Sequence, residues 1–168
     1  MPKMLFVIAP ENFRDSEYFI PKKILESNNI ATSTASKIAG EITGADGETT
    51  EATHKVQDID PKNYDGIAFI GGPGMAEMTS DPEFISLAKK FYDDKKIISA
   101  ICAGVAILAN AVILQGKKAT GWAGISDVLK SGGAVYEGKN IEVDGNIITA
   151  DGPQSAEIFG VAITKSLS

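Results

Sequence analysis

The chain has one cysteine, one histidine and one tryptophan in 168 residues. A lone cysteine excludes an internal disulfide, which suits a reducing compartment and leads us to expect a cytoplasmic protein. A lone histidine, His54, leaves little material for a metal site, and no second ligand of metal-binding type is spaced near it, so no metal is expected. No apolar stretch approaches the roughly 20 residues of a membrane span. The first run, Met4 to Ala9, is too short for a signal peptide and leads directly into Glu11-Asn12. Positive charge is also in short supply: 16 Lys and Arg against 22 Asp and Glu give a net charge of -6, which argues against nucleic acid or an anionic membrane as partner.

What is present reads as alternating strands and helices. Met4 to Ala9 is continuously apolar, as in a parallel strand covered on both faces. Asp15 or Ser16 can cap a helix to about Asn28, with Ile20, Ile24 and Leu25 on one face. Pro21 removes the hydrogen-bond partner of the Glu17 carbonyl, so an irregular first turn is expected there. Ile30 to Ala35 reads as a second strand, and residues 40–57 as a hairpin excursion turning at Gly44 and Asp46-Gly47, with His54 on its edge strand. A strand from Gly66 to Ile70 runs into Gly71-Gly72-Pro73-Gly74. Asp81-Pro82 opens a helix to about Asp93, with Phe84, Leu87, Ala88 and Phe91 on one side. A strand from Lys96 to Ile101 precedes an apolar helix from Ala103 to Ile113. A brief strand at Ala119-Thr120, a short helix from Gly124 to Ser131, a hairpin around Asp144-Gly145-Asn146 and a last helix from Pro153 complete the chain. The pattern predicts one domain over residues 1–168, an α/β three-layer sandwich with a mostly parallel sheet and helices on both faces.

Sites in such sheets lie beyond the carboxyl ends of the strands. Cys102 falls between a strand and a helix, flanked two residues away by the small Ala100 and Gly104. That is the arrangement of a nucleophile elbow with sulfur in place of a serine oxygen. A helix N-terminus there favours a thiolate. The alternative is a small buried hydrophobe. Glu17 is either a solvated first-turn glutamate or an inward carboxyl that meets the sulfur. In the second case an ionised carboxylate raises the thiol pKa, a protonated one lowers it, and the two titrate as a pair. Gly71-Gly72-Pro73-Gly74 lacks the spacing of a phosphate loop. Beside a cysteine elbow, the N–H groups of Gly72 and Ala103 can face a developing oxyanion. Trp122, just after a strand, either packs or roofs a pocket.

These motifs, in this order, resemble the ThiJ/PfpI superfamily. They include Asp15-Ser16-Glu17 with Pro21, Tyr64-Asp65-Gly66 leading to Gly71-Gly72, and Ala100-Ile101-Cys102-Ala103-Gly104. Further along they include Gly116-Lys117-Lys118-Ala119-Thr120, Val143-Asp144-Gly145-Asn146-Ile147-Ile148-Thr149 and Gly152-Pro153. The resemblance implies a flavodoxin-like sandwich, Cys102 as nucleophile, Glu17 as its acidic partner, and Gly72 and Ala103 as backbone donors. Gly71, Pro73, Arg14, Asp15 and Trp122 become candidate pocket residues. It also implies a homodimer or a hexamer of dimers, a small carbonyl or peptide substrate and no cofactor. Protease-type members carry a histidine directly after the cysteine, where this chain has Ala103. Deglycase-type members share the alanine but often place a histidine where this chain has Trp122. The late histidine and glutamate of class I glutamine amidotransferases would fall near Asp151 and Gln154. The leading expectation is therefore a cofactor-free glyoxalase III- or deglycase-like enzyme in stress protection. A PfpI-type peptidase or amidase and a redox-sensing protein without enzymatic activity are the alternatives.

Overall fold

The computed structural model describes all residues, 1–168. In chain order its elements are β1 (Lys3–Val7), α1 (Asp15–Ser27), β2 (Ala31–Ser36), β3 (Gly40–Thr43), β4 (Thr49–Ala52), β5 (His54–Lys55), β6 (Gly66–Phe69) and α2 (Pro73–Ala76). They continue with α3 (Pro82–Asp93), β7 (Ile97–Ile101), α4 (Val105–Asn110), α5 (Ser126–Ser131), β8 (Ile141–Asp144), β9 (Ile147–Ala150) and α6 (Ala156–Ser166). The main sheet runs β5-β2-β1-β6-β7-β9-β8, and every pairing in it is parallel except the terminal β8–β9 hairpin. This is the flavodoxin-like three-layer sandwich.

Both faces of the central strands are dry, which is why β1 reads as unbroken apolar sequence. Leu5 and Val7 point into a core shared with Phe84, Leu87 and Phe91 of α3 and with α4. Met4, Phe6 and Ile8 point to the other side, against Tyr18 and Leu25 of α1 and Phe159 and Ile163 of α6. From β1 the chain crosses to β2 on one side and later returns as β6 on the other. The strand order thus reverses between β1 and β6, and a crevice opens at their carboxyl ends.

Several local expectations are corrected. Helix α1 runs unbroken through Pro21, and its inward face is Glu17, Tyr18, Pro21 and Leu25, whereas Ile20 faces solvent. Tyr18 sets this rotation: its hydroxyl is 2.6 Å from Thr34 Oγ1 and 3.0 Å from Thr50 Oγ1. Residue 14 holds the N-cap position without a side-chain cap; Asp15 is turned to another task described below. The apolar helix expected to reach Ile113 ends at Asn110 after a 3-10 turn over 102–104. The Val112 N–H bonds to the Ala109 carbonyl and the Ile113 N–H to the Leu108 carbonyl, closing the helix with Val112 at φ 59°. The Ala119-Thr120 strand is reduced to one bridge between Lys118 and Val135. His54 belongs to the edge of the main sheet beside β2 and not to the β3–β4 hairpin.

Candidate active site

Strands β1, β6 and β7 are neighbours in the sheet, so the three unusual strand ends meet at one edge. Cys102 follows β7 directly and has φ 58°, a left-handed conformation that a residue with a side chain adopts only under constraint. Gly104 permits the sharp turn, because a Cβ there would stand 2.6 Å from the Phe69 carbonyl oxygen. The sulfur is thereby lifted to the start of a helical turn, half-buried, with the N–H groups of Ala103 and Gly72 beside it.

Glu17 lies behind the sulfur and is fully buried. Neither carboxyl oxygen reaches hydrogen-bond geometry with a protein donor; the polar groups beside it are the Cys102 thiol and the Gly71 N–H. Burial pushes the Glu17 pKa up to about 7, helped by Asp151, against the Cys102 contact, the Arg14 charge and the Gly71 N–H. Burial and then the Glu17 charge push the thiol up to about 12, against the Ala103 and Gly72 N–H groups. The two groups share protons. The pair loses its first near pH 7 and resists losing the second, because two negative charges cannot be held together in a dry site. The first charge sits on Glu17, and the Ala103 and Gly72 N–H groups lower the cost of moving it to sulfur.

Gly71 sits between these groups. A Cβ there would stand 2.6 Å from both Cys102 Cβ and Glu17 Oε1, and 2.9 Å from the Ile101 carbonyl oxygen. Overpacking of this kind costs about 1–3 kcal/mol. Gly71→Ala is therefore expected to lower the unfolding free energy measured in urea by that amount and to drive sulfur and carboxyl apart. Unchanged stability and unchanged thiol titration in this variant would show that the contact is looser than described. The rest of Gly71-Gly72-Pro73-Gly74 is a crossing of two loops. The Arg14 N–H donates to the Gly71 carbonyl (2.9 Å) and the Gly74 N–H to the Asn12 carbonyl (3.0 Å). Gly72 has φ 117° and its position leaves no room for a Cβ, which would stand 2.4 Å from the Arg14 nitrogen.

A cavity of about 600 Å³ opens in front of Cys102, lined among others by Arg14, Gly72, Pro73, Ala103 and Trp122. The Trp122 backbone N–H donates to the Cys102 carbonyl (3.3 Å), and its half-exposed indole packs against Gly124, where a Cβ would come within 2.6 Å of the ring. Gly71 and Asp15 do not line the cavity. Asp15 instead accepts from the Asp46 N–H (3.1 Å) and the Glu48 N–H (2.9 Å), clamping the turn of the β3–β4 hairpin over the site. The clamp brings Asp46 to the cavity wall, where its carboxylate meets Arg14 at 3.2 Å. Ser16, Ala76 and Pro153 also line it. Sequence reasoning missed Asp46, and its one available signal was the Asp46-Gly47 turn.

His54 is outside this group. It is exposed on the edge strand β5, its Nδ1 is 2.8 Å from Thr53 Oγ1, and β2, β1 and β6 stand between it and β7. A comparably large cavity of about 660 Å³ beside α4 and α5 holds no nucleophile, and Asp127 is its one charged residue. No cluster of three or more His, Cys, Asp or Glu side chains could hold a metal ion, and no helix is long and apolar enough to cross a membrane.

A strained cysteine at a strand-to-helix turn, backed by a buried carboxyl within a flavodoxin-like sheet, defines the class as α/β proteins with a cysteine elbow. The DJ-1/PfpI family model matches residues 2–166, and the chain belongs to that family. A ThiJ/PfpI domain protein from Brachyspira murdochii superposes with a TM-score of 0.96 at 35% identity, covering 98% of this chain and 95% of that one. A Bacillus subtilis protein named as a candidate cysteine protease is 31% identical over 95% of this chain and 95% of its own length. A protein of Thermococcus kodakarensis named a deglycase is 28% identical over 89% of this chain and 90% of its own.

Proposed function

We propose that this protein is a cofactor-free enzyme acting on small 2-oxoaldehydes, with Cys102 as nucleophile and Glu17 as proton carrier. The observation that carries the reading is the buried Glu17 carboxyl, without a protein hydrogen-bond donor and placed behind the only thiol. The thiolate adds to the aldehyde carbon C1, and a C–S bond forms. The oxyanion created there faces the Gly72 and Ala103 N–H groups and takes a proton to give a hemithioacetal. Glu17 removes the C1 proton and returns one to C2, leaving a thioester of a 2-hydroxy acid. Water cleaves the C–S bond. One carbon is oxidised while its neighbour is reduced, so the net change is addition of water and no external redox partner is needed. The relatives named deglycases support carbonyl chemistry within this family. Action within the cytoplasm, in stress protection and as a homodimer or a hexamer of dimers belongs to the same proposal.

Peptide hydrolysis finds weaker support. Ala103 occupies the position after the cysteine, and His54 lies at the far edge of the sheet, so no imidazole serves as base within one chain. Incubation with methylglyoxal is expected to yield lactate, with Cys102→Ser reduced to the buffer rate. Lactate formation that survives in the serine variant would overturn the assignment, and casein cleavage that depends on Cys102 would favour the peptidase.

A further inference from the structure

The reaction just described needs only a dicarbonyl beside Cys102, yet the cavity wall carries a cation that this chemistry does not use. Arg14 and Asp46 are the only charged side chains that line it. Both Asp46 oxygens are taken up by one guanidinium nitrogen, Nη1, at 3.2 and 3.3 Å. The Arg14 side chain makes no other hydrogen bond within the protein, so Nε, Nη2 and their donors are uncommitted. Guanidinium presents its five donors as a planar fork that matches a carboxylate with two bonds at once, and here most of that fork is unfilled. The partner is also exchangeable. The two side chains are 31% and 54% exposed, and ion pairs in contact with solvent are weak. The backbone, by contrast, is fixed: the Arg14 N–H bonds to the Gly71 carbonyl, next to the reacting sulfur. The remaining wall, built from Trp122, Pro73, Ala76, Ala103 and Pro153, suits a short aliphatic chain.

We propose that Arg14 is a specificity-determining residue that anchors a carboxylate on the substrate, with Asp46 as the displaceable stand-in when the cavity is empty. This deepens the carbonyl reading and rests on it. The substrate class becomes 2-oxoaldehydes with an anionic group at the far end of a short chain. The chemistry and atom balance are those given above, with the distal carboxylate unchanged. An enzyme placed here consumes the dicarbonyl products of reactions that oxidise a terminal hydroxymethyl ketone, or oxidatively deaminate a terminal aminomethyl ketone, on a small acid.

The test compares 4,5-dioxopentanoate with 2-oxopentanal, which has the same five-carbon chain and no carboxylate. Arg14 also bears on the Glu17 charge, so the quantity to read is the ratio of the two kcat/KM values within each variant. The native enzyme is expected to favour the anion at least tenfold, chiefly through KM. Arg14→Gln is expected to bring the ratio to about one, Arg14→Lys to keep part of it, and Asp46→Asn to raise it by removing the competitor. A purely structural ion pair would not produce that gain. A second readout is independent of turnover: 2-hydroxyglutarate is expected to protect Cys102 from iodoacetamide in the native protein and not in Arg14→Gln. Turnover of both compounds with a ratio unmoved by Arg14→Gln overturns the anchor and leaves the carbonyl reading standing. Absence of turnover for both compounds overturns the carbonyl reading and this substrate class with it. Lack of protection by 2-hydroxyglutarate overturns the anion site itself.

Discussion

Glu17→Gln is expected to lower kcat for methylglyoxal by about 10²–10⁴-fold, the range associated with loss of a positioned acid–base group. Glutamine fills the same buried volume but cannot carry a proton from C1 to C2. The loss should fall on kcat, because Glu17 acts on the hemithioacetal after it has formed. The same variant should change the thiol. In the native protein burial and then the Glu17 charge hold the Cys102 thiol high, so alkylation by iodoacetamide is expected to stay slow from pH 4 to 9. Glutamine removes the carboxylate repulsion, so its thiol is expected to ionise at lower pH than the native one and to alkylate faster at pH 9, though still raised by burial. Identical alkylation profiles from pH 4 to 9 in the two proteins would show that Glu17 and Cys102 do not titrate together. Full turnover in the glutamine variant would remove Glu17 from the mechanism.

The second large effect is on stability and runs the opposite way. The folded-state pKa of Glu17 is raised from 4.5 to about 7. Between those values the native state binds more protons than the unfolded chain, so stability falls as pH rises through that window and is flat above it. At about 1.4 kcal/mol per unit, the raised pKa corresponds to roughly 3 kcal/mol lost by pH 8 relative to pH 4 from this group alone. Glu17→Gln has no charge to bury. It is expected to match the native protein near pH 4 and to exceed its unfolding free energy by about 3 kcal/mol at pH 8. Urea unfolding at the two pH values measures it. A glutamine variant less stable at pH 8 would mean that the carboxylate is held by favourable contacts instead of strained by burial. The expected pairing of lost activity with gained stability is the signature of a site kept at a cost to the fold.

The sequence was most informative where one residue type has one mechanical use. Continuous apolar runs marked β1 and β6, alternating strands and helices gave the three-layer architecture, and Asp81-Pro82 opened α3, where Asp81 accepts from the Glu83 and Phe84 N–H groups at 2.9 and 3.3 Å. The ends of α1 and α3 fell within a residue of expectation, and the end of α4 was harder to see. Helices α1, α3 and α4 close with Asn29, Lys95 and Val112 in the left-handed region, at φ 60°, 57° and 59°. Glycine, the usual signal for that position, is absent from all three, so the pattern ran on past the real end of α4. The inward rotation of α1 was hidden for a different reason. Ile20 looks like a core residue by hydropathy, but Tyr18 finds two threonine hydroxyls on strands that are distant in sequence. Asp46 could not be placed at the site from sequence, because what brings it there is the Asp15 carboxylate gripping backbone N–H groups 31 and 33 residues away.

That grip has a consequence for how such a protein can change. The sulfur, its backbone donors and Glu17 hang from the central strands and from α1, where each neighbour is packed and little can move. The residue facing Arg14 comes instead from a two-stranded appendage, β3–β4, outside the seven-stranded sheet. On the proposed roles, the anchor Arg14 belongs to the packed framework that holds the sulfur and Glu17, while its competitor Asp46 belongs to the appendage. On that assignment, substitutions in the hairpin turn are expected to alter how strongly Arg14 is engaged while leaving the packing around Cys102 and Glu17 as it is.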